Sequence, residues 1–130
     1  MAPHVQRIIV VLVYADIAAA RDFLVEAFGF SSGGLHRDAG GQVLHSEVTL
    51  GGETVRLHPV APDEDLRSVA ELASATDLLH VLVEDADDHH SRATAAGAVV
   101  LSPPADQPDG RREYSAFDSE GRVWSFASRP

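Results

Sequence analysis

Arg111-Arg112-Glu113-Tyr114-Ser115-Ala116-Phe117-Asp118-Ser119-Glu120-Gly121-Arg122-Val123-Trp124-Ser125-Phe126 is the stretch that decides the fold. Two strand-like runs flank an acidic turn that closes on Gly121. Glycine takes the positive φ that ends such a turn, so the segment predicts a β-hairpin. Alternation along its second strand puts Trp124 and Phe126 on one face and Ser125 on the other. The single tryptophan is expected to be a core residue facing a helix layer.

Working outward, the rest of the chain repeats a simple unit. Ile8 to Val13 is a continuous β-branched run, which fits a central strand buried on both faces. Asp16 is placed to cap a helix whose apolar stripe is Ile17, Ala20, Phe23, Leu24, Ala27 and Phe28, ending at Gly29. A strand from Phe30 is expected to loosen into Ser31 to Gly34, with a loop over His36 to Gly41. Strands Val43 to Leu50 and Thr54 to His58 follow, joined by Gly51-Gly52. Pro59 to Asp77 breaks the pattern and reads as a linker, with a short helix over Leu66 to Ala73. The unit then recurs: strand Leu78 to Val83, cap Asp85, an alanine-dominated helix Ala86 to Ala96, strand Val99 to Leu101, a Pro-rich loop Pro103 to Gly110, and the terminal hairpin.

The two copies are in register. Asp16 and Asp85 are 69 positions apart (85 − 16), as are Gly52 and Gly121 (121 − 52), and such self-similarity marks a duplicated unit. With its "REY…DSEG…WSF" ending, the chain resembles the vicinal oxygen chelate superfamily, the glyoxalase, bleomycin-resistance and extradiol-dioxygenase group, over about Val5 to Phe126. The resemblance implies an α+β fold of two βαβββ modules whose sheets face across a shared cleft. One domain would span 1–130, with module one at about 5–59, a linker at 60–77 and module two at 78–128.

It further implies where a metal would sit, since superfamily enzymes hold one between cleft-facing residues on the first and last strands of each module. Counting from the helix caps and the strand alternation, those positions are Ile9, Arg56, Leu78 and Ser125. Isoleucine and leucine have no lone pair to offer, arginine is cationic, and a serine hydroxyl alone is a poor ligand for a divalent ion. The resemblance with this substituted set implies no metal and no cofactor. It points to a drug-sequestering protein of the bleomycin-resistance kind holding a planar organic compound such as an antibiotic or aromatic metabolite. The alternative is a lyase, isomerase or dioxygenase-like enzyme with a relocated metal or metal-free acid–base chemistry. A third class is a protein-interaction module.

The polar residues each carry two roles. His45 and Glu47 share the cleft-side face of their strand and either contact a ligand, Glu47 as a candidate base, or form a solvated face with Glu47 paired to Arg56. A free Arg56 would meet a ligand carboxylate or phenolate through its planar fork. His80 shares the face of Leu78 and is a candidate acid, base or stacking group, or is hydrogen-bonded to a neighbour. His45, Glu47, His58 and His80 are also the candidates for a displaced metal site. His89 and His90, adjacent on a helix, cannot chelate together and are expected at the surface. Phe117 and Phe30 are candidates for flat walls at the cleft mouth, and Glu113 and Tyr114 are expected to be structural.

Composition bounds the remaining classes. The 130 residues hold no cysteine, which excludes disulfides and thiolate chemistry. A formal charge of −10 opposes binding to nucleic acid or anionic membranes. The longest apolar run is too short to span a bilayer and no export signal is evident, so a cytoplasmic location is expected. Phosphate-binding loops, nucleophile elbows and basic–aromatic patches are absent from the sequence. Relatives of this kind imply a homodimer, module-swapped in one form.

Overall fold

A computed structural model describes His4 and residues 6–130; the expected start of module one at Val5 lies outside the described residues. The first unit is β1 (Val10–Tyr14), α1 (Ile17–Phe28), β2 (Ser31–Arg37), β3 (Val43–Leu50) and β4 (Glu53–Pro59). After a 3-10 turn (Pro62–Glu64) and α2 (Val69–Leu72), the second is β5 (Leu78–Leu82), α3 (Ala86–Ala95), β6 (Val99–Asp106), β7 (Arg112–Phe117) and β8 (Val123–Ser128). The sheets have equivalent orders, β1-β4-β3-β2 and β5-β8-β7-β6, with the first strand of each parallel to the last. The α+β, two-module architecture implied by the repeat is therefore the one the chain adopts.

Helix starts are set by side chains. Asp16 accepts from the Ala19 amide and Asp85 from the Asp88 amide, each at 3.0 Å, satisfying donors that a helix N-terminus otherwise leaves orphaned. Ile17, Ala20, Leu24, Ala27 and Phe28 bury the expected stripe of α1. The helix stops at Gly29, whose φ of 82° lies in the left-handed region.

Four expectations about the strands need correction. β1 is an edge strand, not a central one: Leu12 and Tyr14 are buried, but Val11 is 47% exposed and Ile8, ahead of the strand, 84%. Its second apolar face is uncovered within the chain. β2 does not dissolve at Ser31 but runs to Arg37, through a bulge between Ser32 and Leu35. A Cβ on Gly33 would lie 2.9 Å from the Glu47 carbonyl oxygen, so only glycine permits this approach. The histidine-to-glycine loop thus shrinks to a turn after Arg37. β6 likewise extends through Pro103 and Pro104 to Asp106, because an edge strand with a register shift tolerates residues that cannot donate.

One core serves both modules. α1 packs on its own sheet and on α3, which covers β6, β7 and β8. Phe28 is fully buried, with ring centroids 4.7 Å from Phe126, 5.8 Å from Trp124 and 5.2 Å from Phe23. Trp124 and Phe126 face this core as alternation predicts, and Phe30, a candidate cleft wall, lies in it too, against Trp124 at 5.5 Å. Polar bonds clamp the same junction. The Glu120 carboxylate accepts from the Ala15 and Asp16 amides at 2.8 Å, and Arg92 donates to the Val25 and Glu26 carbonyls.

His89 is not at the surface. Its Nε2 donates to the Phe28 carbonyl at 2.9 Å, Nδ1 accepts from the Tyr114 hydroxyl, and its ring lies 4.1 Å from that of Phe126. Burial holds the imidazole below its ordinary pKa, and burial likewise raises that of Tyr114. Because the folded state binds this proton less readily than the unfolded chain, stability is complete above the unfolded histidine value of about 6.5 and is lost as pH falls below it. The melting temperature of the wild type is expected to drop between about pH 7.5 and 5.5, and His89→Gln to show a smaller drop across the same interval. Equal drops would remove His89 from this role.

Candidate functional site

Each sheet has one face turned away from the helices, and the candidate residues gather there. On the first, cross-strand pairing aligns Val11, Arg56 and Glu47 in one row. Arg56 donates from Nη2 to Glu47 Oε1 at 3.1 Å, so the two form the neutralising pair that the sequence left open. The contact uses one guanidinium nitrogen only, and Arg56 Nε is buried with no partner. Beside this row His45 stacks on His36, ring centroids 4.4 Å apart, and its Nδ1 is also buried and unpartnered. His58 turns its Nδ1 to the Pro59 carbonyl at 2.7 Å, where it donates.

On the second face the equivalent row is His80, Ser125 and Ser115. His80 Nδ1 lies 3.0 Å from Ser125 Oγ and 3.5 Å from Glu113 Oε1. Glu113 is therefore a site-face residue, not merely a structural one. The alternation of its strand carried the signal, since Tyr114 and Ala116 point into the core and odd positions point out. For His89 the missed signal was helical spacing: from Ala86 and Ala93, both buried, it shares the stripe facing the core. Ser125 is only 7% exposed, whereas Leu78 is 55% exposed.

Ser125, His80 and Glu113 superficially suggest a hydrolytic triad, but the geometry forbids it. In a triad the serine and the acid occupy opposite ring nitrogens, so that the base can take the serine proton. Here both approach Nδ1, which leaves Ser125 unactivated and, among the described residues, Nε2 without a hydrogen-bond partner.

The remaining candidates scatter. Phe117 pairs with Val123 and, with Val69 and Gly121, lines a cavity of about 370 Å³ beneath α2, at the end of the second face. Ile9 precedes β1 and is 37% exposed. Among the described residues no hydrogen bond or ion pair joins Arg56, His45, Glu47 or His58 to His80, Ser125 or Glu113. His45, Glu47, His58 and His80 do not converge, and among the described residues no three His, Asp or Glu are arranged to hold a metal ion. Where the modules meet, a groove of about 480 Å³ is lined by Ile8, Val10, Phe30, His80, Leu82 and Trp124 among others.

Ile9, Arg56, Leu78 and Ser125 do not fit a divalent cation. Two lack donors, Arg56 brings a charge already turned to Glu47, and the Ser125 hydroxyl is engaged with His80.

Comparison with known proteins agrees with the geometry. Residues 3–126 match the Glyoxalase/Bleomycin resistance protein/Dioxygenase superfamily. The uncharacterized protein Mb0911c of Mycobacterium bovis is 32% identical over 129 residues, covering 97% of this chain and 80% of that protein. The crystal structure of TioX from Micromonospora sp. ML1 superposes with a TM-score of 0.72 at 32% identity, covering 96% of this chain and 97% of that one. TnmS3, an antibiotic binding protein from Streptomyces sp. CB03234, shares the fold with a TM-score of 0.72 at 22% identity, covering 99% and 98%. Two βαβββ modules in register, the terminal hairpin and this match across nearly the whole chain make the protein a member of the glyoxalase, bleomycin resistance and dioxygenase superfamily.

Proposed function

We propose that this chain is a metal-independent, cytoplasmic small-molecule binding protein of the bleomycin-resistance type, which sequesters or carries a planar organic compound such as an antibiotic. The observation that carries this is the superfamily fold combined with Ile9, Arg56, Leu78 and Ser125 at the ligand positions. The kinship of fold with an antibiotic binding protein supports it. Affinity would come from apolar burial at roughly 25 cal/mol per Å² against Ile9, Val11, Leu78 and Leu82, all substantially exposed. Arg56 and His80 would orient the ligand.

A second copy is the proposed cover for these open faces. β1 and β5 are both unpaired sheet edges with apolar flanks, which favours pairing with another chain. Sedimentation is expected to give a homodimer.

The experiment is isothermal titration of bleomycin, a fluoroquinolone and a coumarin into protein stripped with chelator, with elemental analysis of the same sample. Saturable binding of at least one compound, undiminished by chelation, is expected. Binding that returns only with stoichiometric metal would overturn the proposal.

Metal-free acid–base catalysis at His80 is the second reading, favoured by an Nε2 that no described residue engages. Glu47 is the less available candidate, its carboxylate being engaged by Arg56. Chemical change in the bound compound, abolished by His80→Ala, would select this over sequestration.

A further inference from the structure

We infer that Glu113 and His80 form a hydrogen-bond-accepting site selective for ligands with an acidic hydroxyl group, a phenol or enol, carried on a planar ring system. This rests on the small-molecule binding reading above and names the ligand chemistry of the second face.

The tautomer follows from the neighbours. The Glu113 carboxylate, 3.5 Å from His80 Nδ1, can only accept a hydrogen bond, and Ser125 Oγ at 3.0 Å can do so as well. A lone pair at Nδ1 would face the carboxylate's negative charge, so Nδ1 carries the proton and points it at these two oxygens. Nε2 is then the lone-pair nitrogen. A carboxylate beside one ring nitrogen fixes the orientation of the ring and leaves the other as the acceptor.

The surroundings specify the rest of the ligand. His80 lines the groove at the module junction, whose exposed apolar walls are Ile8, Val10 and Leu82, with Glu53 and Thr54 as its further polar groups. At about 480 Å³ the groove is in the size range of small-molecule sites. Apolar walls suit a flat ring system, and the imidazole acceptor gives one position where a hydroxyl is preferred over an ether. An imidazole that donated instead would treat hydroxyl and ether oxygens alike.

The test compares 4-methylumbelliferone with its 7-methoxy ether by titration at a pH where the free phenol is protonated. The wild type is expected to bind the phenol about tenfold more tightly, the effect of one hydrogen bond to a basic acceptor. His80→Phe is expected to bind both probes with equal affinity, and its retained binding of the ether shows that the site is intact. Glu113→Gln is expected to reduce the preference several-fold without affecting the ether. Equal binding of the two probes by the wild type, or a tenfold preference surviving in His80→Phe, overturns this inference while leaving the binding reading in place. Failure of both probes to bind the wild type overturns this inference as well, and if the titrations with bleomycin and the fluoroquinolone also fail, the binding reading falls with it.

Discussion

Asp118→Ala is expected to lower stability by about 3–5 kcal/mol, because four donors converge on one buried carboxylate and hydrogen bonds to charged groups are each worth about 1.5–3 kcal/mol. Oδ1 accepts from the Glu120 and Arg122 amides at 3.0 Å, closing the terminal turn. Oδ2 accepts from Trp124 Nε1 at 3.0 Å and from the Tyr14 hydroxyl. The last bond joins β1 of one module to the final turn of the other. Burial foremost, and then the adjacent carboxylate, hold the Tyr14 phenol well above its ordinary pKa, so it remains a donor. Alanine would leave the indole N–H and the phenol facing apolar surroundings. Asp118→Asn separates shape from charge: its amide oxygen can still serve the two backbone amides, but its NH₂ then opposes the indole N–H, which cannot accept. An intermediate loss is expected, read by urea denaturation. A loss under about 1 kcal/mol for Asp118→Ala would show that the turn is held by its backbone alone.

Much of this arrangement was legible in the residues. The 69-residue offset, the Asp16 and Asp85 caps and the alternation around Trp124 led directly to two βαβββ modules, because each rests on local periodicity and capping chemistry. The failures share another cause. The apolar run at Ile8 to Val13 reads as a strand covered on both faces, but composition cannot say what covers the second face. β2 and β6 reach further than expected because a bulge over Gly33 and an edge position for Pro103 and Pro104 are properties of the neighbouring strand. At the site, parity placed His80, Arg56 and Ser125 on the open faces, whereas the Glu113 contact with His80 depends on cross-strand register. His89 shares the buried stripe of Ala86 and Ala93, a local signal, whereas the partners it bonds, Phe28 and Tyr114, are remote in sequence.

Phe28→Ala is expected to cost about 3–5 kcal/mol, the usual price of deleting a fully buried phenylalanine ring, and to do so in both modules together. Phe28 ends the helix of the first module, yet its ring lies among Trp124, Phe126 and His89 of the second. Its carbonyl also accepts the His89 bond. A cavity here removes contacts from each side of one shared core, so neither module retains an intact interior on which to survive alone. Trp124, the single tryptophan, reports the second module by fluorescence, and far-UV circular dichroism reports the whole chain. The two denaturation curves are expected to coincide in the wild type and to shift together in the variant. A loss under about 1 kcal/mol, or a circular-dichroism transition that precedes the fluorescence change, would mean that the modules fold as separate units. Coincident curves make the junction the element that fixes how the two open faces stand relative to each other. A ligand gripping both faces would then stabilise the wild type through this same core, and bind the Phe28 variant less tightly although no residue of the site has changed.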